Sequence, residues 1–264
     1  DISSTELIMS LPGETKETFI NTIKTVIETG IEQIIIYTLM NLNGTSMFSK
    51  LKENSEGHLL KFRIVPRQFG KYNNKYVFDN EEVVVETPDF SFDDYLYVRG
   101  FAYVIQNIYN DSHFPELIKF LSENKVSVFD WLMDIYESLL VLDNTASRQI
   151  NEFIDETKLE LWDSEESLYE FYSQSINYKK LVEGELGGNL LAKYTWIAKS
   201  DGFESWLNIA LESAQKLCEF SSELPRDQIS EIFNDFKTYF VNTKNIFQLF
   251  NGNKIIKIDK DKKI

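Results

Sequence analysis

The sequence predicts a chain of mixed class, an α/β segment followed by a mainly helical C-terminal domain, and three observations predict it. Across the first fifty residues the hydrophobic period changes from strand to helix and back to strand, as in a βαβ unit whose parallel strands need a crossover helix. Residues 51–90 are rich in strand-forming runs separated by Asn and Asp. From Ser91 onward a period near 3.6 dominates. The boundaries follow: 1–50 for the α/β part, 51–90 for a strand-rich connecting segment, and 91–264 for the helical domain.

Residues 6–10 read as a short strand, and Leu11-Pro12-Gly13-Glu14 turns the chain. Thr15 is a good helix N-cap, with Glu17 in the first turn where its charge favours the helix dipole. In the helix that follows, Phe19, Ile20, Ile23, Val26 and Ile27 cover one face, and Gly30 ends it. Ile34-Ile35-Ile36-Tyr37 is a continuous apolar run, which marks a strand covered on both faces in a parallel sheet. By the right-handed crossover rule the two strands lie side by side and parallel. Two strands cannot complete such a sheet, so the others are expected from elsewhere.

In the connecting segment, residues 59–69, 76–78 and 83–85 read as strands, with Asn73-Asn74 and Asp79-Asn80 as turns; Pro66 argues against a central position for the first. Helices are expected near 93–109, 113–124, 127–142, 145–161, 165–178, 179–198, 202–221 and 226–242, and a last strand near 254–258. Trp131, Trp162, Trp196 and Trp206 are the expected anchors of a helical core able to stay folded by itself.

Composition narrows the function classes. With 43% hydrophobic residues, 20 Phe and 13 Tyr, the chain buries a sizeable core. The net charge of −15 opposes binding to phosphate backbones or anionic lipid, and Lys254 to Lys263 reads as a solvated tail. No nucleic-acid or membrane partner is expected. The single cysteine, Cys218, allows neither an internal disulfide nor a multi-cysteine metal site, and points to a reducing, cytoplasmic setting. The chain opens at Asp1 almost directly into a strand, without an initiator methionine or signal peptide, as a piece of a longer protein would.

Most active-site textures are missing from the local spacing. His58 and His113 stand apart from any Cys, His or paired carboxylate. Gly184-Glu185-Leu186-Gly187-Gly188 follows a helix and lacks the Lys-Ser/Thr of a phosphate loop, so it reads as a link between helices. Asp79-Asn80-Glu81-Glu82 reads as a turn, and Asp163-Ser164-Glu165-Glu166 as a helix start capped by Ser164; neither has the alternation of a calcium loop.

One segment carries more. Leu7-Ile8-Met9-Ser10-Leu11-Pro12-Gly13-Glu14-Thr15, then an amphipathic helix, an apolar strand and Leu39-Met40-Asn41-Leu42-Asn43-Gly44-Thr45, resembles the radical S-adenosylmethionine superfamily over residues 5–48. That family carries I-x-G-L-P-G-E-T and P-L-x-P-G-T at these places; Ser10 replaces a glycine and Asn43 a proline. Arg63-Ile64-Val65-Pro66-Arg67-Gln68-Phe69-Gly70, Val77-Phe78-Asp79 and residues 91–101 resemble, more loosely, the C-terminal tails of its cobalamin-binding branch.

The resemblance implies a partial (β/α) barrel whose fifth and sixth strands lie in residues 5–48. It also implies a [4Fe–4S] cluster held by a C-x3-C-x2-C loop, S-adenosylmethionine as cofactor, and in this branch cobalamin. This chain lacks the three cysteines, so the loop is expected upstream, in the same polypeptide, and the chain alone is expected to be inactive. Ser10, Leu11, Pro12, Gly13 and Glu14 would then lie on the S-adenosylmethionine side, and Tyr37 and Asn41 would face a small-molecule substrate. Glu14 would hold the turn or a cofactor hydroxyl, and no catalytic base or metal ligand is assigned. The rival expectation is a non-catalytic helical binding or scaffold protein with a degenerate α/β segment.

Overall fold

Strands β1 (Ser4–Met9) and β2 (Gln33–Thr38) pair in parallel, Ser4 beside Gln33 through Met9 beside Thr38, in the computed structural model, which describes residues 2–46, 49, 57–110 and 114–243 and the helical backbone to 251. Helix α1 (Lys16–Glu28) makes the crossover between them. Thr15 caps it as expected: its hydroxyl accepts from the Thr18 N–H, while the Thr18 hydroxyl accepts from the Thr15 N–H in return. Gly30, at φ 79°, follows its last turn.

The antiparallel hairpin of β3 (Leu59–Tyr72) and β4 (Lys75–Glu86) comes next, turned by Asn73 and Asn74, both at positive φ. Asp79 and Asn80 do not turn the chain: they lie inside β4, a single twelve-residue strand. Asn80 pairs with Ile64 and Phe78 with Phe69, and these pairings on either side of Asp79 outweigh the local turn preference. Pro66 sits where the register shifts between Ile64 and Phe69, a bulge that tolerates its missing N–H. The chain beyond β2 joins the two pairs. The Asn41 N–H donates to the Glu82 carbonyl at 2.8 Å and the Val84 N–H to the Leu39 carbonyl at 2.9 Å, with Met40 bridging Val83 antiparallel.

Helices then run through α2 (Phe92–Val104), a π-helical segment (Ile105–Asn110), α3 (Pro115–Glu123), α4 (Val128–Val141), α5 (Thr145–Leu159), α6 (Glu165–Tyr172), α7 (Ser175–Glu183), α8 (Leu190–Ile197), a second π segment (Ala198–Gly202), α9 (Phe203–Ser221) and α10 (Arg226–Asn251). The two helices expected over 165–198 are three, because Ser173-Gln174 interrupts the first and the glycine-rich stretch 184–188 links the next pair. The strand expected at 254–258, the Lys254–Lys263 tail and His113 lie outside the described residues.

The architecture is therefore mixed α/β with a helical majority and small sheets. Met9, Phe19, Ile23, Ile27, Ile34 and Ile36 share one buried cluster with Val83, Phe101, Trp131, Ile150 and Trp206, so a single core runs across the boundaries near 50 and 90. Trp131 and Trp206 anchor it, donating to the Ala210 carbonyl and the Gln149 side chain. Trp162 is only partly buried, and Trp196 does not belong to the core: it is 63% exposed. A second cluster of Ile64, Phe78, Leu168, Tyr172 and Leu181 packs the hairpin against α6 and α7. Among the described residues no helix is long and apolar enough to cross a membrane.

The π segment after α2 re-aims its last residues at β2. The Asn110 Oδ1 accepts from the Ile34 N–H at 2.8 Å and its Nδ2 donates to the Ile34 carbonyl at 2.7 Å, so one side-chain amide stands in for a neighbouring strand. Tyr109 donates its hydroxyl to the Ile31 carbonyl. Replacing Asn110 by Ala leaves both polar groups of the Ile34 peptide without partners, at about 1–3 kcal/mol each when desolvated. Urea unfolding should show N110A destabilised by about 2 kcal/mol or more, with the Ile34 amide losing protection from hydrogen exchange; an unchanged midpoint would deny the clamp its role.

Candidate functional site

The carboxyl ends of β1 and β2 carry the residues that the sequence singles out. Ser10 follows β1 with φ 67°, a left-handed backbone that favours glycine, and is wholly buried with its hydroxyl unpartnered. The next four residues make a tight turn: the Glu14 N–H donates to the Leu11 carbonyl at 3.0 Å, with Pro12 and then Gly13 at the centre and Gly13 at φ 81°. The Glu14 carboxylate reaches back to accept from the Leu11 N–H at 3.4 Å. Burial lifts its pKa above the ordinary carboxylate range, against the opposing effect of the Leu11 and Ser10 amides. Glu14 therefore holds the turn, and Leu11, Pro12 and Gly13 are exposed on its rim.

Tyr37 lies on the sheet face away from α1. Register places it beside Ile8, and the two are each 44% exposed, while Met9, Ile34 and Ile36 on the other face are buried. The expectation that this strand is covered on both faces is thus not met within the described residues: helices cover one face only.

Asn41 is 7% exposed and belongs to a different surface. Its Nδ2 donates to the Glu82 carboxylate, and its Oδ1 is left without a partner. It lines an open groove of about 640 Å³, walled by residues 40–43 after β2, Phe62 of β3, residues 80–82 of β4 and residues 164–166 at the start of α6. None of Ser10, Leu11, Pro12, Gly13, Glu14 or Tyr37 lines it. The fold thus divides the residues singled out in the sequence between two surfaces.

The groove's acidic side was not legible in the sequence. The stretches 79–82 and 163–166 each carry an ordinary local role, and Ser164 does cap α6, accepting from the Ser167 N–H. What joins them is a backbone bridge: the Phe62 N–H donates to the Trp162 carbonyl at 2.8 Å and the Trp162 N–H to the Phe62 carbonyl at 2.7 Å. Lys61 pairs with Asp163 beside it. Only the distant pairing of Phe62 with Trp162 brings the carboxylates together.

Behind the groove lies a largely buried charge network. Arg63 pairs with its cross-strand neighbour Glu81 and with Glu160 at 3.5 Å, and Arg99 lies over the Phe153 ring, 5.5 Å from its centroid. Burial raises the Glu160 pKa against the attraction of Arg63 and Arg99. Among the described residues no three His, Cys, Asp or Glu side chains converge as a metal site. Cys218 is buried in α9, and burial pushes its thiol up to about 11, so it is a poor source of the thiolate a cluster needs. Compared with known proteins, the chain matches no family and no curated protein.

Two predictions follow from the strained and buried polar groups. Ser10→Gly relieves a left-handed residue, worth about 1–2 kcal/mol, and removes an unpartnered hydroxyl, against about 0.5–1 kcal/mol of added chain entropy. It should raise stability by about 1 kcal/mol in urea, whereas Ser10→Val should lower it; the reverse order would mean that the hydroxyl is doing stabilising work.

Glu160 supplies the second. A carboxyl with a folded-state pKa above its usual 4.5 binds protons more tightly folded than unfolded, so its contribution is present below that value and is lost as pH rises through the raised one. The stability of the wild type relative to Glu160→Gln should therefore fall as pH increases from about 4.5 toward neutrality. A difference curve that rises with pH would show that pairing with Arg63 outweighs desolvation.

Proposed function

We propose that this chain is the C-terminal portion of a radical S-adenosylmethionine enzyme of the cobalamin-binding branch, with a partial (β/α) barrel in residues 1–50. The observation that carries the reading is the uncovered sheet face. A parallel pair is expected to be buried on both sides, yet Ile8, half-buried Ile35 and Tyr37 lie opposite the helices. An upstream part of the barrel would cover this face. Both motifs leave the same carboxyl edge of the sheet, where sites in such barrels are built.

In this reading S-adenosylmethionine, when bound and reductively cleaved, supplies a 5′-deoxyadenosyl radical. The chain's own residues bind and orient. Ser10 takes the left-handed backbone for which the family motif uses glycine, and the turn at Pro12-Gly13 brings peptide groups to the rim. Tyr37 presents an aromatic ring and hydroxyl on the face the rest of the barrel would enclose, while Asn41, expected to face the substrate as well, sits in the wall of the separate groove with its carboxamide oxygen buried. The [4Fe–4S] cluster does not fit this chain, whose one thiol is buried and protonated, and no step is assigned to cobalamin.

Expression of the native reading frame in full tests the proposal. The frame should encode C-x3-C-x2-C ahead of Asp1, and the full protein, reconstituted anaerobically with iron and sulfide, should cleave S-adenosylmethionine to 5′-deoxyadenosine while residues 1–264 alone should not. A full frame without the three cysteines, or cleavage by the isolated chain, would overturn it; the former would favour a helical scaffold.

A further inference from the structure

The turn that leaves the Leu39–Asn41 stretch holds a reactive pair of residues. Leu42, Asn43, Gly44 and Thr45 form a four-residue turn, closed by the Thr45 N–H on the Leu42 carbonyl at 3.2 Å and by the Thr45 hydroxyl on the same carbonyl at 2.8 Å. Gly44 has φ 84°, which marks the third position of a type II turn and favours glycine. Asn43 and Gly44 thus occupy the two central positions, and both are exposed. Among the described residues neither the Gly44 N–H nor the Asn43 carboxamide is committed to a hydrogen bond.

The backbone nitrogen after an asparagine can attack that residue's own carboxamide carbon, because the ring that closes is a five-membered succinimide. A hydrogen bond on the nitrogen, or a side chain crowding it, opposes the attack. Gly44 imposes neither, and a Cβ added there would meet nothing within 4 Å, so the surrounding space is open to water. Two other asparagines show what is missing elsewhere. Asn41, two positions earlier, is buried, gives its amide nitrogen to Glu82, and is followed by the bulky Leu42. Asn74 is exposed in the hairpin turn, but it is followed by Lys75, which carries a side chain and pairs with Tyr72 at the start of β4. Exposure, a free nucleophile and an unhindered glycine coincide at Asn43.

We propose that Asn43 is a modification site, deamidated through attack by the Gly44 nitrogen. The Gly44 nitrogen gives its proton to water and forms a bond to the Asn43 Cγ, the Cγ–Nδ2 bond breaks, and the leaving nitrogen takes up a proton and departs as ammonia. Water then opens the succinimide at one of its two carbonyls. Opening at Cγ leaves Asp; opening at the main-chain carbon leaves isoaspartate, with the chain running through the former side chain. One water is consumed and one ammonia released, and no oxidant or reductant is needed. Asn43 lines the groove with Glu82, Glu165 and Glu166, so either product adds a carboxylate to an already acidic wall, where like charges oppose one another. Isoaspartate also lengthens the backbone inside the turn by one methylene. Neither step involves the cluster or S-adenosylmethionine, so the inference stands or falls apart from the radical reading.

The test is to incubate the folded chain, residues 1–264, at neutral and mildly alkaline pH, digest aliquots at acid pH, and follow the peptides by liquid chromatography and mass spectrometry. A sample unfolded in urea runs in parallel. The peptide containing Asn43 should be lost with time from the folded chain and replaced by two products of equal mass, Asp and isoaspartate. The loss should quicken as pH rises, because the attacking nitrogen must give up its proton, while Asn41 and Asn74 stay intact. Asn43→Gln, at an exposed turn position, should abolish the change, since its longer side chain disfavours the ring. Conversion in urea with Asn43 intact in the folded chain would overturn the proposal by showing that the turn protects the residue. Asp without isoaspartate would overturn the cyclic route in favour of direct hydrolysis, and a gain of charge that maps only to Asn251, which also precedes a glycine, would assign the modification elsewhere.

Discussion

Two backbone hydrogen bonds decide how the rest of the molecule is arranged: Asn41 N–H to Glu82 carbonyl, and Val84 N–H to Leu39 carbonyl. They carry the chain leaving β2 onto β4 and so tie the parallel pair to the hairpin. Without them the two small sheets would be separate, and a two-stranded sheet has little stability of its own. With them, Val83 and Val85 enter the same core as Met9 and Ile36. The carboxyl edge of the parallel pair is thereby held beside the middle of the hairpin, where Asn41 and Glu82 meet.

The hairpin then passes that constraint to the helices. Its Phe62–Trp162 bridge fixes the start of α6, and Ile64 and Phe78 seat α6 and α7 against it. Arg63 ties together Glu81 of β4 and Glu160 at the end of α5. Largely buried ion pairs add little net stability once desolvation is counted, but breaking one is expensive. Arg63 and Glu81 are cross-strand neighbours within the hairpin, so the contact with Glu160 is the one that ties the hairpin to α5, in the docking that brings residues 80–82 and 164–166 to one groove.

Two surfaces with different chemistry result. On one side of the α/β unit an uncovered sheet face displays Ile8 and Tyr37, the kind of surface a further piece of the same fold would cover. Beside it the groove at Asn41 is polar, acidic and open. The proposed function assigns the first to completing the barrel around the cofactor. Loops at strand ends commonly carry such tasks because the scaffold beneath holds them rigidly.

Local chemistry determined much of this protein before any tertiary contact was known. Periodicity placed β1, α1 and β2, the crossover rule made the strands parallel, and Thr15, Gly30 and Ser164 marked helix ends because caps depend on residues a few positions apart. The turn at Pro12-Gly13 was legible for the same reason. Tertiary structure alone decided that Asp79 and Asn80 stay within a strand, that Trp196 points outward while Trp131 is enclosed, and that an Asn110 amide serves as a strand edge. It also decided the groove. Glu82 and Glu166 lie more than eighty positions apart in the chain, and nothing in the local pattern of either stretch encodes the bridge between Phe62 and Trp162 that brings them together. Caps and turns are satisfied within one stretch of chain; a shared cavity depends on which distant backbones bond, and that follows from the packing of the whole core.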